Sequence, residues 1–372
     1  MSDDKLAEVY PNVHSAQPEP ARSRARKSGG QRRLGRAARI ALGSAAALAG
    51  LAAAVKWAAR QAERANPPIG NFIEVDGVRL HYIDVGEGSP VVLLHGNGSM
   101  LQDPAIALVD RLADRHRVLA FDRPGFGHSE RPKNITWTPE AQMQLILGAL
   151  RRLGVERPVL YGHSWGACLV VTFAVYHPDQ IRGVVAASGY YFPNRRLDAA
   201  IAVLNVAPAI GPVVRNTFGP VLGALTGRGA VKALFSPNPI PPTFAEFPAS
   251  LALRPSQLRA SGEDGTTLRE WAERTSPRYR QIRVPVFIVA GDGDKAVDHR
   301  GHAMRLHDEI PDSRLRIFPH TGHMVHHVHP DAIVEAIESV FHIADDRAPA
   351  NTETSGDAGQ GAAPEQDIVT PS

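Results

Sequence analysis

Apolar positions between residues 72 and 343 follow two alternating patterns. Short apolar runs predict buried strands at 91–94, 118–121, 158–161, 181–188, 284–290 and 315–318. Longer apolar stretches broken by polar positions predict helices at 106–113, 139–153, 167–176, 299–310 and 332–343. Strands that alternate with helices predict an α/β fold with a mostly parallel sheet and helices on both faces.

Two stretches depart from this alternation. Residues 72–85 alternate between apolar and polar positions around Asp76-Gly77, which predicts a two-residue β-hairpin. Residues 191–280 contain no clear strand and are interrupted by proline. An insertion of this length is too long for a loop, so we predict a helical lid within a core formed by residues 68–190 and 281–345.

The N-terminal residues have a different texture. Residues 1–37 are polar and rich in proline, serine and arginine, which predicts a disordered basic arm. No charged residue occurs from Ile40 to Val55, and Lys56 could extend its amine to the membrane surface. We therefore predict a transmembrane signal anchor over residues 38–60.

The arrangement of cations predicts the orientation of this anchor. Eight cations lie between Arg22 and Arg39, and only three follow in residues 56–65, so the N-terminus is expected in the cytoplasm and the body outside. A signal peptide cleaved near Ala52-Ala53-Ala54, giving a secreted protein, and a soluble alanine-rich helix are the alternatives. Residues 346–372 are polar and are predicted to be a disordered tail.

Charge and cysteine content exclude several classes of function. The net charge is +3, but residues 1–65 carry +7 and the rest of the chain carries −4. Because the globular part has no basic face with interleaved aromatics, we expect no nucleic-acid partner. The single cysteine, Cys168, excludes an intrachain disulfide and a cysteine-based zinc site, and is predicted to be a small core residue.

The pentapeptide Gly162-His163-Ser164-Trp165-Gly166 stands between a predicted strand and a predicted helix. It fits the nucleophile-elbow pattern Gly-x-Ser-x-Gly, in which a sharp turn holds the serine above the sheet. Only glycine tolerates the close approach on either side of that turn. The context therefore predicts that Ser164 is a catalytic nucleophile.

A serine hydroxyl needs a base, and the base needs an orienting carboxylate. In this topology both follow the serine, each after its own strand. For the acid we choose Asp294 over Asp292 and Asp298, because the residue directly after a strand is more often a turn former. For the base we choose His323, since Gly322 permits a tight loop, over the other histidines of the cluster, His320, His326, His327 and His329.

Two backbone N–H groups are expected to form the oxyanion hole. One is that of Trp165, and the other is that of Asn97 in the loop after residues 91–94. A simple turn role for Asn97 is the alternative. The histidines of residues 320–329 also allow a metal site, but we predict no metal and no cofactor, because no paired carboxylates lie beside them in the sequence.

Five blocks in the same order resemble the α/β-hydrolase superfamily. They are His95-Gly96, residues 122–129, the elbow, residues 291–294 and Gly322-His323, and the likeness extends over residues 72–343. The resemblance implies a Ser164–Asp294–His323 triad, no cofactor and a lid. The sequence is most similar to the lidded branch with esterases, C–C bond hydrolases, haloperoxidases, haloalkane dehalogenases and epoxide hydrolases.

One departure from that branch is informative. Asn97 and Trp165 match the positions at which haloalkane dehalogenases hold halide, but Ser164 stands where they carry aspartate. A serine alkylated by a haloalkane would form a stable ether, whereas an acylated serine is an ester that water hydrolyses. We therefore expect a serine hydrolase that cleaves a small or medium apolar ester.

Three other activities remain open alternatives. They are C–C bond hydrolysis of a ring-cleavage diketone, acyl transfer to an alcohol or peroxide, and a non-enzymatic binding role. The sequence carries no signal for an oligomeric state.

Overall fold

The computed structural model describes residues 27–193 and 203–347, with side chains from Arg36 onward. The chain forms two compact units, Met1–Ala54 and Val55–Ser372. Helix α1 (Lys27–Ala65) begins in the first unit and ends in the second. Its portion Arg36–Ala65 is long and apolar enough to cross a membrane, and is compatible with a membrane anchor or a signal sequence.

The prediction of a disordered basic arm is wrong for residues 27–37, which belong to α1. Residues 27–37 contain three glycines and have low helix propensity of their own, so this part of the helix is an N-terminal continuation of the alanine-rich stretch that follows it. Residues 1–26 lie outside the described residues. Most of the predicted C-terminal tail, residues 348–372, lies outside them as well, and the last helix ends at Asp346.

The described residues form one eight-stranded sheet with the order β1-β2-β4-β3-β5-β6-β7-β8. The predicted hairpin is confirmed, because β1 and β2 pair antiparallel and Asp76 and Gly77 both have positive φ. Strand β2 also pairs antiparallel with β4, and all the other pairings are parallel. The strands are β1 (Asn71–Val75), β2 (Val78–Val85), β3 (Ser89–Leu94), β4 (His116–Phe121), β5 (Val159–His163), β6 (Gly183–Ala187), β7 (Val286–Gly291) and β8 (Ser313–Phe318).

Helices cover both faces of the sheet, as the alternating pattern predicted. In β3, Val91 and Leu93 join one buried cluster, and Val92 and Leu94 join the other. Such two-sided burial is expected of a parallel sheet between helical layers. The core helices are α2 (Gln102–Leu112), α3 (Pro139–Arg152), α4 (Trp165–Tyr176), α9 (Arg305–Glu309), α10 (Val325–Val328) and α11 (Pro330–Asp346).

The described part of the segment that we predicted to be a lid is helical and contains no strand. Its helices are α5 (Gly211–Asn216), α6 (Phe218–Phe235), α7 (Ala249–Ala252) and α8 (Pro255–Thr275). Prolines occupy the first turn of α5 and of α8, where the missing N–H costs no helical hydrogen bond. Residues 194–202 lie outside the described residues.

Candidate active site

Ser164 lies at a sharp turn between β5 and α4. Its φ of 53° and ψ of −113° place it in a backbone conformation that a residue with a side chain rarely adopts. Its N–H donates to the Ala187 carbonyl at 2.8 Å, which fixes the turn to the end of β6. A Cβ at Gly162 would overlap the Gly166 carbonyl, and one at Gly166 would overlap the Leu94 carbonyl. The two glycines are therefore required by close backbone approach.

His323 and Asp294 form a buried pair beside the elbow. His323 Nδ1 and Asp294 Oδ2 are 2.7 Å apart. The other carboxylate oxygen of Asp294 accepts the Ala296 and Val297 N–H groups at 2.8 and 3.0 Å. The two backbone N–H groups hold the carboxylate in place. Its free oxygen can then accept a hydrogen bond from the Nδ1–H group of the imidazole.

The alternative acids and bases lie elsewhere. Asp298 accepts the N–H groups of Arg300 and Gly301, and Asp292 is exposed. His320 is exposed on the same loop as His323, and His329 pairs with Thr321 at 2.9 Å. The residues that this geometry brings together are thus Asp294 and His323.

The His323 loop is held against the elbow and against the lid segment. The His163 Nε2 atom lies 3.0 Å from the His323 carbonyl, and the two imidazole rings are 4.8 Å apart. The His323 N–H donates to the carbonyl of Leu234, near the end of α6, at 2.8 Å. Within the described residues no hydrogen bond joins Ser164 Oγ to His323. His323 therefore lies next to the elbow without a hydrogen bond to Ser164 Oγ.

The loop after β3 approaches the elbow from the other side. Leu94 pairs with Gly162 across the parallel ladder, so the following Gly96 lies against Ser164, and a Cβ at Gly96 would stand 3.2 Å from that of Ser164. Asn97 follows in a turn. The N–H of Trp165 belongs to the first turn of α4, where amides have no partner within the helix. Both backbone donors thus belong to segments that border the serine.

The side chains of Asn97 and Trp165 are engaged by the lid segment. Asn97 Nδ2 donates to the Ser261 carbonyl at 3.1 Å, and the Trp165 indole N–H donates to the Asp264 carbonyl at 3.2 Å. Both acceptors lie on α8. In this structure the pair that matches the halide-holding positions instead joins the core to α8.

A buried arginine that sequence reasoning did not select connects the same elements. Arg123, in the loop after β4, has a fully buried side chain that pairs with Asp264 at 2.6 Å. It also donates to the His95 and Gly96 carbonyls at 3.0 and 2.9 Å and stacks on Trp165. Arg123 thus holds the loop that carries Asn97. The only signal in the sequence was its place in the 122–129 block.

His95 completes this arrangement as a neutral ring. Its Nδ1–H donates to the Gly96 carbonyl at 2.8 Å, and its Nε2 accepts the Arg123 backbone N–H at 3.0 Å. Burial, followed by the nearby Arg123 cation, lowers the pKa of His95 to about 3. Both ring nitrogens of His95 are therefore hydrogen-bonded beside the turn that contains Asn97.

A second polar cluster lies behind the elbow. Asp103 Oδ1 is 3.1 Å from His326 Nε2 and 2.9 Å from His327 Nε2, and all three residues are buried. Burial opposes ionisation of Asp103, but its histidine partners outweigh that effect and hold its pKa well below the usual value. Burial lowers the pKa of His326 to about 4. His326 and His327 are therefore buried beside the elbow and do not lie at the surface.

Among the residues that the structure describes, Asp103, His326 and His327 form a group that could hold a metal ion, since their ligand atoms lie within 4.8 Å of one another. We predicted no metal partly because the sequence shows no carboxylate beside the histidines, whereas the fold brings Asp103 to them. Asp103 Oδ2 lies 4.0 Å from His163 Nδ1, and neither atom has a hydrogen-bond partner among the described residues. The cluster thus connects α2 to the elbow residue that contacts His323.

Comparison with known proteins agrees with this architecture. The family model described as "alpha/beta hydrolase fold" matches residues 89–330. Haloalkane dehalogenase 2 of Mycobacterium tuberculosis is 29% identical over 278 residues, which cover 71% of this chain and 91% of that protein. The 2-hydroxy-6-oxo-2,4-heptadienoate hydrolase of Pseudomonas putida is 27% identical over 276 residues, covering 70% and 91%.

A solved structure shows the same fold. The meta-cleavage product hydrolase of Pseudomonas fluorescens IP01 superposes with a TM-score of 0.58 at 21% identity, covering 75% of this chain and all of that one. Together with the nucleophile-elbow geometry and the sheet order, these matches establish that the chain belongs to the alpha/beta hydrolase fold family.

Proposed function

We propose that this protein is a serine hydrolase that transfers an acyl group from a small or medium apolar ester to water, with Ser164 as nucleophile, His323 as base and Asp294 as its orienting acid. The observation that carries the proposal is the 2.7 Å contact between His323 Nδ1 and Asp294, on loops that follow β7 and β8 and lie beside the strained Ser164 turn. A carboxylate on Nδ1 leaves Nε2 with its lone pair for the serine proton.

The reaction follows from these groups. His323 Nε2 takes the proton of Ser164 Oγ as that oxygen attacks the ester carbonyl, and the negative charge on the former carbonyl oxygen is met by backbone N–H groups of Trp165 and Asn97. Collapse breaks the bond to the alcohol, which receives the proton from His323. A water then loses a proton to His323, attacks the acyl-serine and releases the acid, and Ser164 regains its proton.

The missing hydrogen bond between Ser164 and His323 fits a resting site. Catalytic hydrogen bonds are often long or absent without substrate and tighten when it binds. The His323 N–H is held by Leu234 of α6, so the lid segment positions the base. We expect the hydrogen bond between His323 and Ser164 to form when substrate binds.

The residue at the elbow sets the reaction apart from dehalogenation. Halide displacement by Ser164 would leave an ether that water does not cleave, so the similarity to a haloalkane dehalogenase does not extend to its chemistry. The asparagine and tryptophan side chains that match the halide-holding pair already donate to carbonyls of α8. Acyl chemistry without cofactor or metal is consistent with both features.

C–C bond hydrolysis is a second candidate, because the relatives include 2-hydroxy-6-oxo-2,4-heptadienoate hydrolase and 2-hydroxymuconate semialdehyde hydrolase of Pseudomonas putida. Such substrates would need the same serine or an activated water at the same place. Parallel turnover assays separate the two activities. A series of p-nitrophenyl esters of increasing chain length should be hydrolysed, and a ring-cleavage dienoate should not.

The test of the mechanism is covalent labelling of the full chain with a fluorophosphonate. We expect one phosphonyl adduct, mapped by mass spectrometry to Ser164 and absent from Ser164→Ala. His323→Ala should abolish labelling, and His320→Ala, on the same loop but exposed, should label normally. A protein whose circular dichroism shows a folded chain but which resists the probe would refute the serine mechanism.

We also propose that α1 anchors the protein in a membrane with the catalytic unit on the extracytoplasmic side; a secreted or soluble form is the alternative. The apolar stretch Arg36–Ala65 and the cations that precede it support this orientation. The full chain should remain in the membrane pellet after carbonate washing, and protease added outside should reach the catalytic unit. Recovery in the soluble fraction would overturn the anchor.

A further inference from the structure

The lid-segment helix α6 carries an apolar stripe that faces solvent. Phe218, Val221, Leu222 and Leu225 follow the i, i+3, i+4, i+7 spacing of one helical face. All four are exposed, with Leu222 at 61% and Leu225 at 78%. In helices of soluble domains such a stripe usually faces the core. In α6 it faces solvent instead.

The opposite face of α6 makes the contacts with the rest of the lid segment. A Cβ at Gly219 would meet the side chain of Leu258, and one at Gly223 would meet that of Leu253. This part of the helix thus packs through small residues and leaves the four large residues of the stripe exposed, whereas Phe235 at the end of α6 is buried. Because glycine contributes no side-chain burial, this packing does not explain why the large residues of α6 are apolar.

The apolar surface extends beyond α6. Val203, Leu204, Ile210 and Val213 are exposed just before it. We call residues 203–225 with these side chains the lid apolar face. Many large apolar side chains exposed within one short segment of the chain indicate an interaction site, whereas single exposed leucines need no explanation.

The charged residues of this segment are all cations, and Glu263 of α8 is an acidic group that interacts with one of them, Arg215. From Val203 to Ala245 the sequence contains no aspartate or glutamate, and its only charged residues are Arg215, Arg228 and Lys232. Apolar side chains bordered by cations are complementary to an anionic lipid surface, in which apolar groups enter the acyl region and cations meet phosphates. The same chain carries an apolar helix long enough to cross a membrane.

We propose that the lid apolar face inserts into the outer part of an anionic lipid bilayer. Phe218, Leu222 and Leu225 enter the acyl boundary, and Arg228 and Lys232 contact the head groups. This contact is separate from the anchor formed by α1, and it places the helix whose Leu234 carbonyl holds the His323 N–H at the lipid surface. The inference requires neither a particular substrate nor the serine mechanism.

The test places a depth probe on the face in the full-length protein. Leu225→Cys is labelled with a nitrobenzoxadiazole thiol reagent and reconstituted into phosphatidylcholine vesicles containing one third phosphatidylglycerol. The native Cys168 is buried, and labelling of the unmodified protein gives the background. Met304→Cys, at an exposed residue outside the lid segment, is the matched control. Because the probe reports local depth, insertion of α1 alone does not produce the signal.

We expect lipids with a quencher in the upper acyl chain to quench the probe at residue 225 at least fivefold more than at residue 304. Adding Leu222→Glu should lower the inserted fraction about tenfold, and Leu222→Gln should lower it less. Arg228→Gln with Lys232→Gln should reduce insertion in anionic vesicles to the level in pure phosphatidylcholine.

Three results would overturn the proposal. One is a probe at residue 225 that iodide quenches as well as at residue 304 and that lipid quenchers do not reach. Another is a probe shielded from both iodide and lipid, which would mean that a second copy or another protein segment covers the face. The third is insertion that is unaffected by the charge substitutions, which would exclude the anionic surface.

Discussion

Helices α4 and α6 are both rich in apolar and small residues, yet they meet different surroundings. In α4 the residues from Trp165 to Ala174 are all buried between the sheet and neighbouring helices. In α6 only Phe235, at its end, is buried. Apolar composition alone therefore does not determine whether a helix is buried in the protein core. The contacts made by its flanking segments determine this.

The two helices also divide the site. The N-terminal end of α4 directly follows Ser164, whereas a carbonyl near the C-terminal end of α6 accepts the N–H of His323. Core elements thus carry the proposed reacting groups, and the lid segment adjusts one of them. Four experiments test whether the core and the lid segment have these separate roles, and each has an outcome that would contradict them.

The largest effect is expected at the acid of the core. Asp294→Asn keeps the shape but no longer favours the imidazole tautomer that leaves Nε2 free, so kcat should fall about 10³- to 10⁴-fold with little change in melting temperature. Asp298→Asn, on the same loop, should retain near-normal activity because Asp298 caps the N–H groups of Arg300 and Gly301. Steady-state ester hydrolysis measures both. Equal losses in the two variants would remove Asp294 from the mechanism.

The next effect concerns the buried link between core and lid segment. Arg123→Met leaves Asp264 with Arg131 as its remaining cationic partner and removes the buried donors to two backbone carbonyls, so it should cost about 3–5 kcal/mol of unfolding free energy. Arg123→Met with Asp264→Leu should recover part of the loss, because the buried carboxylate that lost a partner is removed as well. Arg269→Met, at an exposed position on α8, should change stability by less than about 0.5 kcal/mol. Denaturant unfolding supplies all three values, and a tolerated single substitution would contradict the link.

Leucine truncation compares α4 and α6 directly. Leu169→Ala in α4 removes a fully buried side chain and should cost about 2–5 kcal/mol. Leu222→Ala in α6 should cost less than about 0.5 kcal/mol in detergent solution, since it removes little burial within the protein. Unfolding curves measured for both variants would show similar losses if α6 were packed like α4.

The smallest effect is expected from acid. His95 is neutral in the fold because its pKa is about 3, while an unfolded chain takes up the proton near pH 6.5. The unfolded state therefore binds more protons between pH 6.5 and 3, so stability falls as the pH falls through that window. At pH 4.5 the loss from this group is about 2–3 kcal/mol. His95→Gln should be less stable at pH 7 but lose less on acidification; parallel pH profiles would exclude His95.

Much of the core could be predicted from the sequence because its signals are local. The hairpin at Asp76-Gly77, the parallel strands and the elbow at Ser164 depend on residues close together in the chain. The choice of Asp294 and His323 required one long-range rule, the order in which strand ends carry catalytic groups. Their roles stay a prediction, while their contact is a feature of the structure.

The remaining features could not be predicted for the opposite reason. Asp103 meets His326 from more than two hundred positions away, and Arg123 meets Asp264 of the lid segment, which lies 141 positions later. The spacing of residues along the chain does not show which buried charges form pairs, because several carboxylates could pair with the same cation. The start of α1 at Lys27 has no local signal either, because residues 27–37 are polar and contain three glycines.

By itself, the amino-acid sequence determined the order of strands and helices, the strained serine turn and the sign of charge in each region, because each depends on neighbouring residues. Only the tertiary structure decided that α6 turns its large apolar residues outward, that Asn97 and Trp165 bind α8, and that Asp103 lies behind the elbow. Those outcomes depend on how segments distant in the chain pack together and on which partner neutralises each buried charge. Neither can be predicted from the local sequence pattern.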